Sequence, residues 1–310
     1  MKLLAIAGPT ASGKTGLAIA LAKRYGGEIV SADSMQIYKE INIASAKPSE
    51  HEMDGVPHHL ISCVSVGEEF SVADFAHRAK TAVSDILQRG LLPIVCGGTG
   101  LYLDALCKNM TFAEQPANRE VRQKLYQRLE QEGADSLYAE LLRLDPEMAG
   151  KVHKNNTVRL VRSLEICLLT GITATEYQRK ALENPPPFEP IYIGLCFEDR
   201  QVLYDRIDRR VDEMLRNGLE EEAKSVLSGK MSKTAAGIIG IKEWADFFEG
   251  KKSREEVADT IKLQTKHYAK RQMTWFRRNE KINWIYVDKC ENFSEISAQA
   301  DEILKGEMQP

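Results

Sequence analysis

The sequence predicts an α/β fold: a parallel sheet flanked by helices, with an all-helical insertion. Short apolar runs alternate with amphipathic helical stretches from residue 3 to residue 98, and strand-like runs return near the C-terminus. Between about 112 and 190 the pattern changes to consecutive helices, closing in the breaker-rich "ENPPPFEP" at 183–190. The chain has 310 residues, 43% of them hydrophobic, which is enough for a sizeable core. The expected division is a core of residues 1–111 with 190–310, and an insertion of 112–189.

The elements follow in order. "LLAIA" at 3–7 is a buried strand, and the helix after it repeats apolar residues at Leu17, Ala18 and Leu21. "EIVSAD" at 28–33 is the second strand and "LLPIVCGG" at 91–98 another. Between them "SVADFAHRAKTAVSDILQRG" places Val72, Phe75, Ala76, Ala79, Val83, Ile86 and Leu87 on one face, as a helix crossing back over a parallel sheet requires. "IYIGLCF" at 191–197 and "INWIYVD" at 282–288 resume the sheet.

Gly8, Pro9, Thr10, Ala11, Ser12, Gly13, Lys14 and Thr15 spell G-x-x-x-x-G-K-T between the first strand and its helix, so the sheet is of the P-loop NTPase-like kind. Backbone N–H groups and a helix N-terminus there face an anion, and Lys14 reaches the phosphoryl oxygens. The Thr15 hydroxyl is a ligand for Mg2+, the expected cofactor. The motif specifies phosphate and leaves open a nucleoside triphosphate or some other diphosphate. "GGTG" at 97–100 suits a second close backbone approach to an anion, with the Thr99 hydroxyl as donor. Asp33 leaves the second strand at the same rim, as a cap or metal ligand on one reading and a general base on the other. Arg206 and Arg210, four apart on one helical face, either clamp an anion or pair with Asp205 and Asp208 on a solvated helix.

A net charge of −3 means any nucleic-acid signal must be local. Residues 262–278, "KLQTKHYAKRQMTWFRR", hold six Lys or Arg and no acid, with Tyr268, Trp275 and Phe276 interleaved. This suits single-stranded RNA, unless the aromatics belong to the core. A second basic face sets Arg159 and Arg162 opposite Val161, Leu164 and Leu168. Six cysteines without metal spacing read as reduced thiols of a cytoplasmic protein, with no membrane segment expected.

"GPTASGKT", "SADSMQIY" and "GGTGLY", followed in order by "VPHHLI", "VRLVRSLEI", "RIDRRVDEMLRNGLEEE" and "KRQMTWFRR", resemble the tRNA dimethylallyltransferase (tRNA isopentenyltransferase) family nearly end to end. The resemblance implies transfer of a dimethylallyl group from dimethylallyl diphosphate to N6 of the adenine 3′ of the anticodon. Lys14, Asp33 and Thr99 are the catalytic residues so implied: Asp33 as base, and Thr99 near the bridging oxygen. The phosphate loop, Arg206 and Arg210 would hold the leaving diphosphate. The anticodon stem-loop of tRNA would meet Asp33, Ser34, Met35, Gln36, Thr99, Arg122, Arg159, Arg162, Lys270, Arg271, Gln272, Trp275 and Arg277. A monomer is expected.

The family usually has Asp where Asn156 stands, and often Tyr where Ile241 stands. The zinc-finger extension of eukaryotic relatives is missing, which points to a bacterial-type member. Adenylate isopentenyltransferases share the chemistry but act on free nucleotides. A small-molecule kinase shares the loop, and a nucleotide-switched RNA-binding protein would account for loop and basic tail.

Overall fold

The computed structural model describes residues 2–112 and 118–308; the opening of the expected insertion, 113–117, lies outside them. The chain divides into two compact units, residues 1–107 with 186–310 and residues 108–185. Both borders fall slightly before those read from the sequence, because a helix ends at Cys107 and the proline run 185–187 already leads into a strand.

The first unit holds strands β1 (Lys2–Ala7), β2 (Gly27–Ser31), β3 (His58–His59), β4 (Leu92–Cys96), β5 (Glu189–Cys196) and β6 (Ile282–Tyr286). They form one sheet in the order β3-β2-β4-β1-β5-β6, every neighbouring pair parallel. β3 was not expected, since two residues carry no periodicity. Ile6 lies opposite Cys96 and Ile193, and Ser31 is also opposite Cys96. The loops after β1, β2 and β4 therefore leave the sheet at one carboxyl rim, where parallel α/β sheets place their ligands.

Helices α1 (Lys14–Tyr25), α2 (Glu50–Met53), α3 (Val72–Gln88) and α4 (Gly100–Cys107) precede the second unit, which consists of α5 (Arg119–Leu144), α6 (Pro146–Lys151), α7 (Thr157–Thr170) and α8 (Ala174–Lys180). After it come α9 (Arg200–Arg216), α10 (Leu219–Leu227), α11 (Trp244–Phe248), α12 (Arg254–Phe276) and α13 (Phe293–Met308). α3 starts in a Ser71/Asp74 capping box and buries Phe75, Ala76, Ala79, Val83 and Ile86.

β1 shows why the sheet needs two helical layers. Leu3, Ala5 and Ala7 join a core with α3, α4 and α10, while Leu4 and Ile6 join another with α1, α13 and the start of α9. In the helical unit Leu125, Leu137, Leu141, Leu160 and Leu164 form a separate core. α5 breaks at Gly133, whose φ of +81° is a left-handed conformation. Buried Asp145 caps α6 through the Met148 N–H at 2.9 Å and accepts from the Thr175 N–H and hydroxyl, each at 2.8 Å, tying α8 to it. Leu168, expected on the apolar side of α7, is 51% exposed, because the stripe packed by Val161 and Leu164 runs out in the last turn. No helix among the described residues is long and apolar enough to cross a membrane.

Candidate active site

The phosphate loop is shaped by two glycines. Gly8 has φ +146°, and a β-carbon on it would stand 2.6 Å from the Leu195 carbonyl oxygen of β5. Gly13, at φ +93°, begins α1 without a side-chain cap, which leaves the first-turn N–H groups to a ligand. Ser12 is 1% exposed, and its hydroxyl has no hydrogen-bond partner among the described residues. Such an orphaned donor in a phosphate cradle fits an oxyanion. Lys14 Nζ donates to the Pro9 carbonyl at 2.7 Å.

α9 brings more positive charge. Arg206 donates from Nε to the Ala11 carbonyl at 2.8 Å, with its guanidinium 5.7 Å from the Phe197 ring centroid. Burial lowers the pKa of Lys14 to about 8; Arg210 pushes it the same way, while Cys96 and Asp33 oppose. Burial likewise lowers Arg206, with Arg209 adding to it, and Arg210, against the pull of Asp33, Glu213 and Glu52. Three cations thus lose more hydration than nearby acids offset, which an anionic ligand would restore. Of the two readings of Arg206 and Arg210, the structure has Arg206 gripping the loop and Arg210 within electrostatic reach of Lys14 and Asp33.

The neighbouring loops meet just as closely. Gly97 has no room for a side chain, since a β-carbon would lie 2.2 Å from the Ala32 carbonyl oxygen. The Thr99 N–H donates to that carbonyl at 3.1 Å. Thr99 Oγ1 accepts from the Ser34 N–H at 3.0 Å and donates to Ser34 Oγ at 3.2 Å. Asp33 Oδ1 accepts from the Met35 N–H at 2.8 Å and the Gln36 N–H at 3.4 Å, so one carboxylate oxygen caps the turn. Its Oδ2 faces Gly98, 4.0 Å from where a β-carbon would be. Gln36 turns inward to accept from the Ser31 hydroxyl at 2.9 Å.

α12 walls the rim. Its basic run is not uniform: Lys262 pairs with Asp212 at 2.6 Å and Lys266 with Asp208 at 2.7 Å, while Lys270, Arg271 and Arg277 are exposed. Phe276 is core, 4% exposed. Trp275 Nε1 donates to Asp104 at 3.0 Å, and its ring covers Gly100, where a β-carbon would be 2.2 Å away. Gln272, expected among the RNA contacts, is 5% exposed, with both ends of its amide bonded inside the protein. Tyr268, which sequence reasoning left among the aromatics, faces Thr99 and Gln272, and burial pushes its phenol above the usual range. Beyond α12, Pro9, Phe197, Leu203, Tyr204 and Met273 line a small cleft edged by Arg200, Lys270 and Arg277.

In the helical unit Arg159 is exposed, and its N–H is capped by Asn156 Oδ1 at 3.2 Å, so Asn serves where the family has Asp. Arg122 and Arg162 both bind Glu165, through Arg122 Nη2 at 2.7 Å and Arg162 Nη1 at 2.6 Å. Glu165 is fully buried, and sequence reasoning missed it although it stands three residues after Arg162. Ile241 is core, fully buried.

Comparison with known proteins bears on this arrangement. A model described as IPP transferase matches residues 36–279. The chain is 42% identical over 311 positions to the tRNA dimethylallyltransferase of Caldanaerobacter subterraneus subsp. tengcongensis, covering 99% of each. It is 44% identical over 284 positions to that of Halalkalibacterium halodurans, covering 91% of this chain and 90% of the relative. Among solved structures, the full-length tRNA isopentenylpyrophosphate transferase of Bacillus halodurans superposes with a TM-score of 0.73 at 40% identity, covering 98% of this chain and 96% of that one. A eukaryotic dimethylallyltransferase acting on tRNA gives a TM-score of 0.79 at 30% identity, covering 100% of this chain and 80% of that one. With the family model matching residues 36–279, from just after Asp33 to just past α12, and a relative matching over 99% of each chain, the chain belongs to the IPP transferase family.

Proposed function

We propose that the chain transfers a dimethylallyl group from dimethylallyl diphosphate to N6 of the adenine 3′ of the anticodon in tRNA, releasing diphosphate. The observation that carries this is Asp33 and Thr99 beside a phosphate loop whose cations, Lys14, Arg206 and Arg210, lose more by burial than the acids near them return. Fixed N–H donors and guanidiniums meet the charge that develops on a leaving diphosphate.

In the reaction N6 bonds to C1 of the prenyl group as the C1–O bond breaks, and the electron pair leaves with the diphosphate. The amine proton passes to Asp33 Oδ2, the oxygen not engaged in capping the turn. Thr99, held by Ser34, is the hydroxyl that the family resemblance sets near the bridging oxygen. Mg2+ fits the loop: the Thr15 hydroxyl and the diphosphate oxygens are hard donors, and no cluster of three or more His, Cys, Asp or Glu among the described residues competes for it. Bound there, it neutralises diphosphate charge. For the tRNA, Arg159, Lys270, Arg271 and Arg277 are exposed cations suited to phosphate, and Arg122 and Arg162 add a pair organised by Glu165.

The test is mass spectrometry of nucleosides from unmodified tRNA incubated with the protein, Mg2+ and dimethylallyl diphosphate, beside tubes holding AMP in place of tRNA or ATP in place of the prenyl donor. An isopentenyl adduct on tRNA adenosine alone is expected. An adduct on AMP would move the protein to the free-nucleotide enzymes, and ATP consumption without an adduct would make it a kinase or switch.

A further inference from the structure

Tyr268, Gln272 and Trp275 follow one another at i, i+4 and i+7 on α12 and so share its inner face. Each meets a different piece of the rim, and Gln272 meets two. Its Oε1 accepts the Thr10 N–H at 2.9 Å, and its Nε2 donates to the Gly98 carbonyl at 2.9 Å. Thr10 belongs to the loop that cradles the leaving group; Gly98 precedes Thr99 and faces Asp33 Oδ2. A β-carbon on Gly98 would stand 2.1 Å from Gln272 Nε2, so the amide occupies the space that a side chain there would take.

We infer that Gln272 is a positioning residue, whose amide fixes the gap between the diphosphate cradle and the loop carrying Thr99 beside Asp33. The inference rests on the function proposed above. Prenyl transfer needs the amine, C1 and the departing oxygen nearly in line, with reacting atoms about 3–3.5 Å apart, and a misplacement of about 1 Å costs on the order of 10²-fold. A side chain that only packed there would have no use for a donor and an acceptor aimed at two separate loops. Gln272 uses both, and needs the carboxamide to do so. A carboxylate accepts from Thr10 but opposes the Gly98 carbonyl; a leucine fills the volume and bonds neither.

The experiment compares wild type, Gln272→Leu and Gln272→Glu in single-turnover prenyl transfer from pH 5.5 to 8.5, with tRNA affinity measured separately. Gln272→Leu is expected to lose about 10²-fold in the rate from bound tRNA with little change in tRNA affinity. For Gln272→Glu the ratio of its rate to that of wild type should rise as pH falls, because the protonated carboxyl again donates to Gly98 and accepts from Thr10. If Gln272→Leu fails to fold, the isosteric Gln272→Glu carries the test, and a flat ratio overturns the inference. It is also overturned if the loss lies in tRNA affinity, which would make Gln272 an RNA contact, or if wild type and variants transfer alike, which leaves the proposed function standing. No transfer by wild type overturns that function, and this inference with it.

Discussion

Lys14, Arg206 and Arg210 in the α/β unit and Arg122 with Arg162 in the helical unit are both groups of cations, yet they are supported in opposite ways. In the first group Lys14 and Arg206 bond to backbone carbonyls of the phosphate loop, at Pro9 and Ala11, and for Lys14 and Arg210 burial outweighs the pull of Asp33. The second closes on Glu165, which is fully buried, while the arginine side chains stay 35% and 46% exposed. Two guanidiniums over one carboxylate leave a single positive charge, facing water in a fixed geometry. The difference separates two tasks. Cations whose desolvation outweighs the acids around them are poised for a charged ligand that enters the site; cations braced by a buried acid present a rigid, modestly charged surface suited to a phosphate backbone.

The comparison breaks most visibly at Asp33. Asp33→Ala is expected to lose about 10²–10⁴ in single-turnover rate with tRNA affinity largely kept. If affinity fell instead with the bound-state rate intact, the rim of the sheet would be an RNA contact, the role proposed for the arginines of the helical unit. Lys14→Met comes next, with a loss of about 10²–10³ in transfer rate and weaker binding of inorganic diphosphate by calorimetry. A variant that bound diphosphate as wild type does would show that Lys14 only braces its loop.

Glu165→Ala sharpens the other side. It leaves Arg122 and Arg162 without their acid, and a cost of about 1–3 kcal/mol should appear in urea unfolding, lessened because the guanidiniums reach water. Its rate from bound tRNA should match wild type. The smallest effect expected is at Glu28, another acid held by cations. The Arg89 guanidinium, helped by His59 and opposed by burial, lowers its carboxyl to about 2. A depressed acid stabilises the fold above its ordinary value of about 4.5 and loses that contribution as pH falls toward 2. Urea midpoints of Glu28→Gln should therefore lack part of the wild-type decline across that window.

Local patterns were legible wherever the physics is local. The apolar runs of β1, β2, β4, β5 and β6, the stripe of α3 and the G-x-x-x-x-G-K-T turn depend on neighbours a few residues away. So does Asp33, whose cap to Met35 and position at the strand end are both short-range. β3 was too short to leave a pattern. Lys262 and Lys266 looked available in the sequence because Asp212 and Asp208 sit on another helix.

The sequence by itself determined the α/β class, the phosphate cradle and the residues resembling a prenyltransferase site, since strand periodicity and loop chemistry are carried by contiguous residues. Only the tertiary structure decided how those residues are used. Gln272 turns inward from the basic run to span Thr10 and Gly98, Tyr268 enters the rim beside Thr99, and Glu165 gathers Arg122 with Arg162. Each of these rests on a meeting between distant segments. A buried amide or carboxylate must find partners wherever packing brings them, and no spacing along the chain records which ones those will be.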